Sequence, residues 1–222
     1  MVLVAGNRIR FYPLNSHKLN NFLERLGRII KGSICSSDPE MVTFGNSRKS
    51  KFWIEKLQLS QHPEGGFYRA TYRADLAINF PTKRELPSQN DRVASRSISS
   101  TIYYLLKGGQ KSMFHRMKNS DEIWHFYTGS SLTLYIINKI TRSVSKLKLG
   151  NEPEKGEQFQ ILIKQGSWFG AIVNDSTSYA LVGCTVSPAF SFADFELADR
   201  RRLTMLYPKH KTIIEMLTRP QQ

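Results

Sequence analysis

The chain has 222 residues, enough for one substantial domain with an extension, and its 32 Lys and Arg against 18 Asp and Glu give a formal charge of +14. It contains no run of eighteen apolar residues, so no membrane-spanning helix is expected, and two cysteines are too few for a disulfide framework. Cys35 lies in the N-terminal part and Cys184 in the strand-like run Leu181-Val182-Gly183-Cys184-Thr185-Val186, which fits a reduced, intracellular, cytoplasmic protein. Of the charge, +6 falls on residues 1–51, and the remainder is spread over many loops with Arg200-Arg201-Arg202 as the one dense run. Zinc-finger and RNA-recognition spacings are missing, so nucleic acid is not expected as the partner, whereas an anionic small ligand suits the excess of cations.

Taken in chain order, residues 1–51 read as a basic, acid-poor extension with a short helix at 19–30, and an organelle-import segment is the alternative reading. Residues 52–222 read as the domain. A helical pattern at 51–59 leads to His62-Pro63-Glu64-Gly65-Gly66, where proline and paired glycines predict a rigid turn that opens a strand. In that strand, FYRATYR, the two-residue period puts Phe67, Arg69 and Thr71 on one face and Tyr68 and Tyr72 on the other. Short apolar or alternating runs then recur at 97–106, 111–117, 122–127, 132–138, 143–149, 159–163, 168–173 and 178–186. Eight runs at roughly ten-residue intervals, with no helical crossovers between them, predict an all-β sandwich or barrel flanked by short helices. The last helix is expected at 209–218, where Ile213, Ile214 and Leu217 recur at helix spacing.

The stretch from Gly109 to Gly129, GQKSMFHRMKNSDEIWHFYTG, carries the chemistry. A two-residue loop at Lys118-Asn119 would pair Met117 with Ser120 and set His115 opposite Glu122, about 4.5–5.5 Å apart at Cβ. Met113, Met117, Trp124 and Phe126 on the same face predict an apolar pocket around the pair rather than a surface ion pair.

The same stretch reads Gly109, five residues, His115, Met117, four residues, Glu122, six residues, Gly129. This resembles the first motif of the cupin superfamily with its second histidine replaced by methionine. With HPEGGFYR at 62–69, DEIWHFY at 121–127 and LVGCTV at 181–186, the likeness narrows to a branch of unassigned function, related to RmlC-type sugar epimerases, over about residues 52–218. The resemblance implies a double-stranded β-helix, the cupin jelly roll, with a ligand cavity between two antiparallel sheets, and a homodimer paired through a sheet edge.

A full metal cupin uses three histidines and a glutamate, and here Met117 and Phe169 stand where two of those histidines would be. No cofactor is therefore expected, and if a divalent metal is held, His115, Glu122 and His125 are its candidates. Without metal, the resemblance implies His115 as a base oriented by Glu122, with Tyr104 returning a proton from the opposite face, as in an isomerase or epimerase; Tyr104 as a packed wall residue is the competing reading. Arg69, Thr71, Trp124, Phe126, Gln160, Trp168 and Phe169 are the candidate ligand contacts for a small polar or sugar-like molecule. Phe192, Phe195 and Glu196, in the closing word from Pro188 onward, are placed across the barrel mouth. A metal-dependent cupin enzyme and a non-catalytic binding or storage-type module are the alternatives.

Overall fold

The computed structural model describes residues 2–5, 8–11, 39–80 and 94–220. The first of two compact units, Met1–Val42, contains an antiparallel hairpin of β1 (Val2–Ala5) and β2 (Arg8–Phe11), where the sequence suggested no strands. The helix expected at 19–30 lies outside the described residues. A helix at Pro39–Lys56 runs well ahead of the expected start at 51.

The second unit, Thr43–Gln222, carries the jelly roll. Its strands are β3 (Ser60–Gln61), β4 (Phe67–Arg73), β5 (Ala77–Phe80), β6 (Ala94–Ser97), β7 (Ser100–Lys107), β8 (Lys111–Met117), β9 (Asp121–Gly129) and β10 (Leu132–Ile137). They continue as β11 (Val144–Leu149), β12 (Glu157–Gln158), β13 (Gln160–Ile163), β14 (Trp168–Val173), β15 (Tyr179–Ser187) and β16 (Phe195–Leu197). One six-stranded sheet has the order β12-β11-β10-β14-β8-β16 and the other β13-β9-β15-β7-β4-β3, while β5 and β6 form a separate two-stranded arm. The all-β class and the strand runs of the sequence are therefore present, with short helices at Arg200–Leu206 and Lys211–Met216 on the C-terminal side.

Alternation along the strands sorts the apolar side chains into three layers. Leu106, Trp124, Leu134, Phe169, Val182 and Cys184 belong to the core cluster to which both sheets contribute. On the outer face of the first sheet, Phe114, Ile137 and Trp168 pack with Leu203, Ile214 and Leu217 of the C-terminal segments. Leu59, Leu105, Tyr179 and Leu181 pack with Trp53, Ile54 and Leu57 on the outer face of the second, where Trp53 Nε1 donates to the Tyr179 hydroxyl at 2.9 Å.

The expected hairpin between 111–117 and 121–129 does not form. β8 pairs with β14 and β16, β9 pairs with β15 and β13, and the chain changes sheets at Lys118-Asn119. In a jelly roll a short turn can join facing sheets as readily as neighbouring strands, so loop length alone does not decide the pairing. His115 and Glu122 consequently come from opposite sheets and meet across the interior.

A β-bulge fixes what β8 presents there. Phe169 pairs with His115 and Ala171 with Ser112, so two steps on β14 oppose three on β8, and Ser112 and His115 end up on one face while Phe114 turns outward. The extra backbone is satisfied from outside the sheet: Phe114 N–H donates to Leu217 O at 2.7 Å and Met113 N–H to Glu64 O at 2.8 Å. Gly170 sits under the bulge, where a Cβ would stand 2.8 Å from Ser112 O. Gly170→Ala is expected to destabilise the protein by about 1–3 kcal/mol through this overpacking, read as a lowered urea midpoint; an unchanged midpoint would show that the bulge does not depend on the missing side chain.

Candidate functional site

The cavity between the sheets has a volume of about 430 Å³. Its floor holds His62, Glu64, Tyr104, His115 and Glu122, and its mouth is formed by Thr71, Tyr72, Arg73 and the segment bearing Phe190, Phe192 and Phe195. The floor groups are almost wholly shielded, with His115, Glu64 and Glu122 at 2%, 5% and 7% exposure, while Phe192 at the mouth is 65% exposed.

Glu64 is the centre of the site, and the sequence reading had treated its segment only as a turn. The turn is real: Gly65 has φ +109, and a Cβ there would lie 2.2 Å from Lys111 O, so only glycine lets the loop lie against β8. That close approach carries Glu64 from the edge of the second sheet to the bulge of the first. Its Oε1 accepts from Ser112 Oγ at 2.9 Å, and its Oε2 lies 3.0 Å from His115 Nε2 and 3.5 Å from His62 Nδ1.

The hydrogen bonds settle who carries protons. His115 Nδ1 lies 2.7 Å from Met113 O, which can only accept, so Nδ1 is protonated. The contact between Nε2 and Glu64 Oε2 then needs one further proton, held as imidazolium with carboxylate or as imidazole with carboxylic acid. Burial lowers the pKa of His115, opposed by the charge of Glu122 and the bond to Met113, and burial raises that of Glu64, opposed by His62, Ser112 and Tyr104. Both shifts favour the neutral pair with a shared proton. His62 Nδ1 accepts from the Glu64 N–H at 3.4 Å, and burial keeps its imidazole neutral as well.

Glu122 faces this pair from β9. Its Oε1 accepts from Trp124 Nε1 at 2.8 Å. Burial raises its pKa to about 7, with His115 pulling it down and Glu64 pushing it up, so near neutrality it can hold or release a proton. Cys184 is buried beside it, and desolvation together with the two carboxylates pushes its thiol well above the usual range, so it lacks the thiolate a nucleophile needs.

The other expected site residues divide by strand parity. Tyr104 lines the cavity, yet its hydroxyl donates to Gly65 O at 2.8 Å, and burial holds its pKa well above the ordinary phenol value; it is a wall that braces the Glu64 turn. Thr71 lines the mouth because a bulge between Ala70 and Tyr72 breaks the alternation that groups it with Phe67 and Arg69. Arg69 is not in the cavity: it lies over the Tyr103 ring and contacts Gln58, and it pairs with neither Glu64 nor Glu122. Trp124 and Phe169 stand one layer behind the lining, the first holding Glu122 and the second with its ring centroid 4.0 Å from that of His115. Phe126 packs against the core, Gln160 is exposed on β13, and Trp168 packs on the outer face beneath Arg116. Adjacent Trp168 and Phe169 cannot both face inward on a regular strand. Phe192 and Phe195 reach the cavity as expected of the closing segment, whereas Glu196 is held by Arg116 at 2.7 Å and is not among the lining residues.

The chain belongs to the cupin superfamily. The family described as Cupin superfamily (DUF985) matches residues 51–198, two thirds of the length. Protein SO0799 from Shewanella oneidensis is 39% identical with a TM-score of 0.65, covering 76% of this chain and 96% of that one. A hypothetical protein from Leishmania major is 31% identical with a TM-score of 0.67, covering 77% and 98%. Among curated proteins, the uncharacterized protein YML079W of Saccharomyces cerevisiae is 26% identical over 145 residues, 64% of this chain and 71% of that one. No helix among the described residues is long and apolar enough to cross a membrane.

Many cupins hold a metal, and the three ligands that the sequence offered for one do not converge here. His115 spends Nδ1 on Met113 O and turns Nε2 to Glu64, while His125, the third residue of the candidate triad, contacts Thr185 Oγ1 at 3.1 Å outside the cavity lining. Among the described residues no group of three or more His, Cys, Asp or Glu is arranged to hold a metal ion.

The raised pKa of Glu122 has a signed consequence. Between about pH 4.5 and 7 the folded state binds more protons at this group than the unfolded state does, so its contribution to stability is complete below pH 4.5 and is lost as pH rises to 7. The loss is on the order of 3 kcal/mol. The lowered pKa values of His62 and His115 act oppositely; Glu122→Gln leaves the first in place and, by removing a charge that raises His115, deepens the second, which adds to the same relative gain. Relative to wild type, Glu122→Gln is expected to gain stability as pH is raised from 4.5 to 8, measured by urea unfolding at each pH; parallel pH profiles would contradict the shift.

Proposed function

We propose that this cupin binds a small carbonyl compound in its cavity and moves a proton on it without a metal, as an isomerase or epimerase does. The reading rests on one observation above all: His115 Nε2 and Glu64 Oε2 lie 3.0 Å apart at the floor of the cavity while Nδ1 is engaged by Met113 O, a contact that calls for one proton between them. With that proton the pair is neutral, and without it Glu64 is a carboxylate still met by Ser112 Oγ, so the pair is suited to give the proton to a carbon next to a carbonyl. When the Glu122 carboxylate has first removed one, the negative charge passes from Glu122 to the pair and the total charge of the site is unchanged.

Glu122 supports the same reading from the opposite sheet. Isomerisation and epimerisation need one group to remove a proton and a second to return it, and a carboxyl with pKa about 7 is near the optimum for either task at neutral pH. In the sequence-based assignment Tyr104 was the group facing His115; its hydroxyl is engaged with Gly65 O, so that place falls to Glu122, whose carboxylate removes a proton while the pair supplies the one returned, and Glu64 replaces Glu122 as the partner that orients His115. Ser112 and Met113 fix the two ends of the pair, which leaves the proton, rather than the side chains, free to move. A purely binding cupin has less need of a proton-sharing pair shielded from water.

The experiment is solvent deuterium incorporation into 2-oxo acid and 2-oxo sugar probes, followed by proton NMR, for wild type, His115→Asn and Glu64→Gln. Wild type is expected to exchange the α-hydrogen above the buffer rate, and each substitution to lower that rate by roughly 100-fold or more, while thermal melts verify folding. Probes that bind and never exchange would reduce the protein to a binding module.

A further inference from the structure

The two ends of the cavity differ in charge, and the wall between them is mostly apolar. At the floor stand two carboxyl groups, Glu64 and Glu122, with histidines that burial keeps neutral. At the mouth stands Arg73, the one Lys or Arg in the lining among the described residues. Its Nη2 donates to Phe190 O at 2.8 Å, so the guanidinium is tethered to the closing segment, and among the described residues no carboxylate pairs with it. The neighbouring Arg96 is differently placed: its Nη1 is paired with Asp194 and its Nε donates to Ala189 O. Among the described residues Arg73 is thus the lining cation with no carboxylate partner. From the mouth inward the lining is mostly apolar, with Phe190, Phe192 and Phe195 of the closing segment followed by Tyr68, Ile102 and Val186, and with Ser100 and Thr101 beside them.

We infer that the ligand is a small monoanion with an apolar or aromatic body, its carboxylate or similar anionic group held by Arg73 at the mouth and its uncharged carbonyl end at Glu64, His115 and Glu122. This names the substrate class for the proton-transfer site proposed above and rests on that reading for the carbonyl end. Orientation follows from charge. An anion at the floor would meet two carboxyls in a dry, low-dielectric setting, whereas at the mouth it meets a guanidinium whose planar fork matches a carboxylate. Size follows from volume. A cavity of about 430 Å³ lies towards the small end of those that hold drug-sized ligands, which suits a molecule of one ring with short substituents. Polarity follows from the wall, because a sugar lying along its six apolar or aromatic residues would lose hydration at several hydroxyls without recovering the hydrogen bonds. This departs from the sugar-like ligand expected from the resemblance.

The test is calorimetric titration of wild type, Arg73→Gln and Arg73→Lys with 3-phenylpropanoate, 4-acetylbenzoate, 3-phenylpropanamide and glucose 6-phosphate, 4-acetylbenzoate carrying its carboxylate and its ketone at opposite ends of one ring. The two aromatic acids are expected to bind wild type at least about 10-fold more tightly than the amide or the sugar phosphate. Arg73→Gln is expected to weaken the acids by roughly 10- to 100-fold and leave the amide unchanged, and Arg73→Lys to keep part of the preference. Equal affinity for acid and amide, preference for the sugar phosphate, indifference to Arg73→Gln, or no binding of either acid would each overturn the assignment. Deuterium exchange into the acetyl methyl of 4-acetylbenzoate separates this from the proton-transfer reading. Arg73-dependent binding with no exchange sustains the ligand class and refutes the reaction, whereas exchange that ignores Arg73→Gln sustains the reaction and refutes the ligand class.

Discussion

A carboxylate at the bottom of a dry cavity is the constraint around which this site is built. Removing one charge from water costs several kcal/mol, so a buried glutamate persists only where its oxygens are met by donors or its charge is cancelled by a proton. Glu64 has both, with Ser112 on one oxygen and the His115 proton on the other. Meeting those partners requires the turn at residues 62–66 to touch β8, which requires a glycine at Gly65, and it requires β8 to present Ser112 and His115 on one face, which requires the bulge over Gly170. The features that look like irregularities of the jelly roll are thus the ones that make its floor.

The two sheets divide the chemistry between them. The first supplies His115, fixed at Nδ1 by Met113 O and in ring contact with Phe169, and the second supplies Glu122, fixed by Trp124. Because each group is held by a neighbour on its own sheet or within the core, their separation across the cavity is set by how the sheets pack and not by a flexible loop. Glu64 ties the sheets together at the floor of the cavity. A ligand entering between Arg73 and Phe192 would find acid–base groups on facing walls, the disposition that moving a proton from one position or face of a molecule to another demands.

Much of the fold was legible in the sequence because its signals were periodic. Runs of alternating apolar residues marked eight core strands, and the Gly109–Gly129 spacing with the HPEGGFYR and DEIWHFY words pointed to the cupin family. The site was legible only where alternation holds. His115, Glu122 and Tyr104 do line the cavity, but their partners were misassigned, since a two-residue turn looks the same whether it joins neighbours or crosses between sheets. Bulges in β4 and β8 changed parity without leaving a local mark, which grouped Thr71 with Arg69 and hid Ser112 altogether. Glu64 was missed for a different reason: flanked by Pro63 and two glycines, it sits in a segment whose backbone role is so evident that a second role is masked. A glutamate two residues after a histidine in such a turn, next to a strand aimed into a cavity, was the available clue.

The central claim is that Glu64 and His115 share one proton, and nitrogen-15 NMR of imidazole-labelled protein tests it directly. The account predicts a His115 ring with Nδ1 protonated across the neutral range and a proton at Nε2 shifted far downfield by its bond to the carboxyl. A His115 ring that titrates freely near the ordinary imidazole pKa, with both nitrogens in rapid exchange with water, would contradict it.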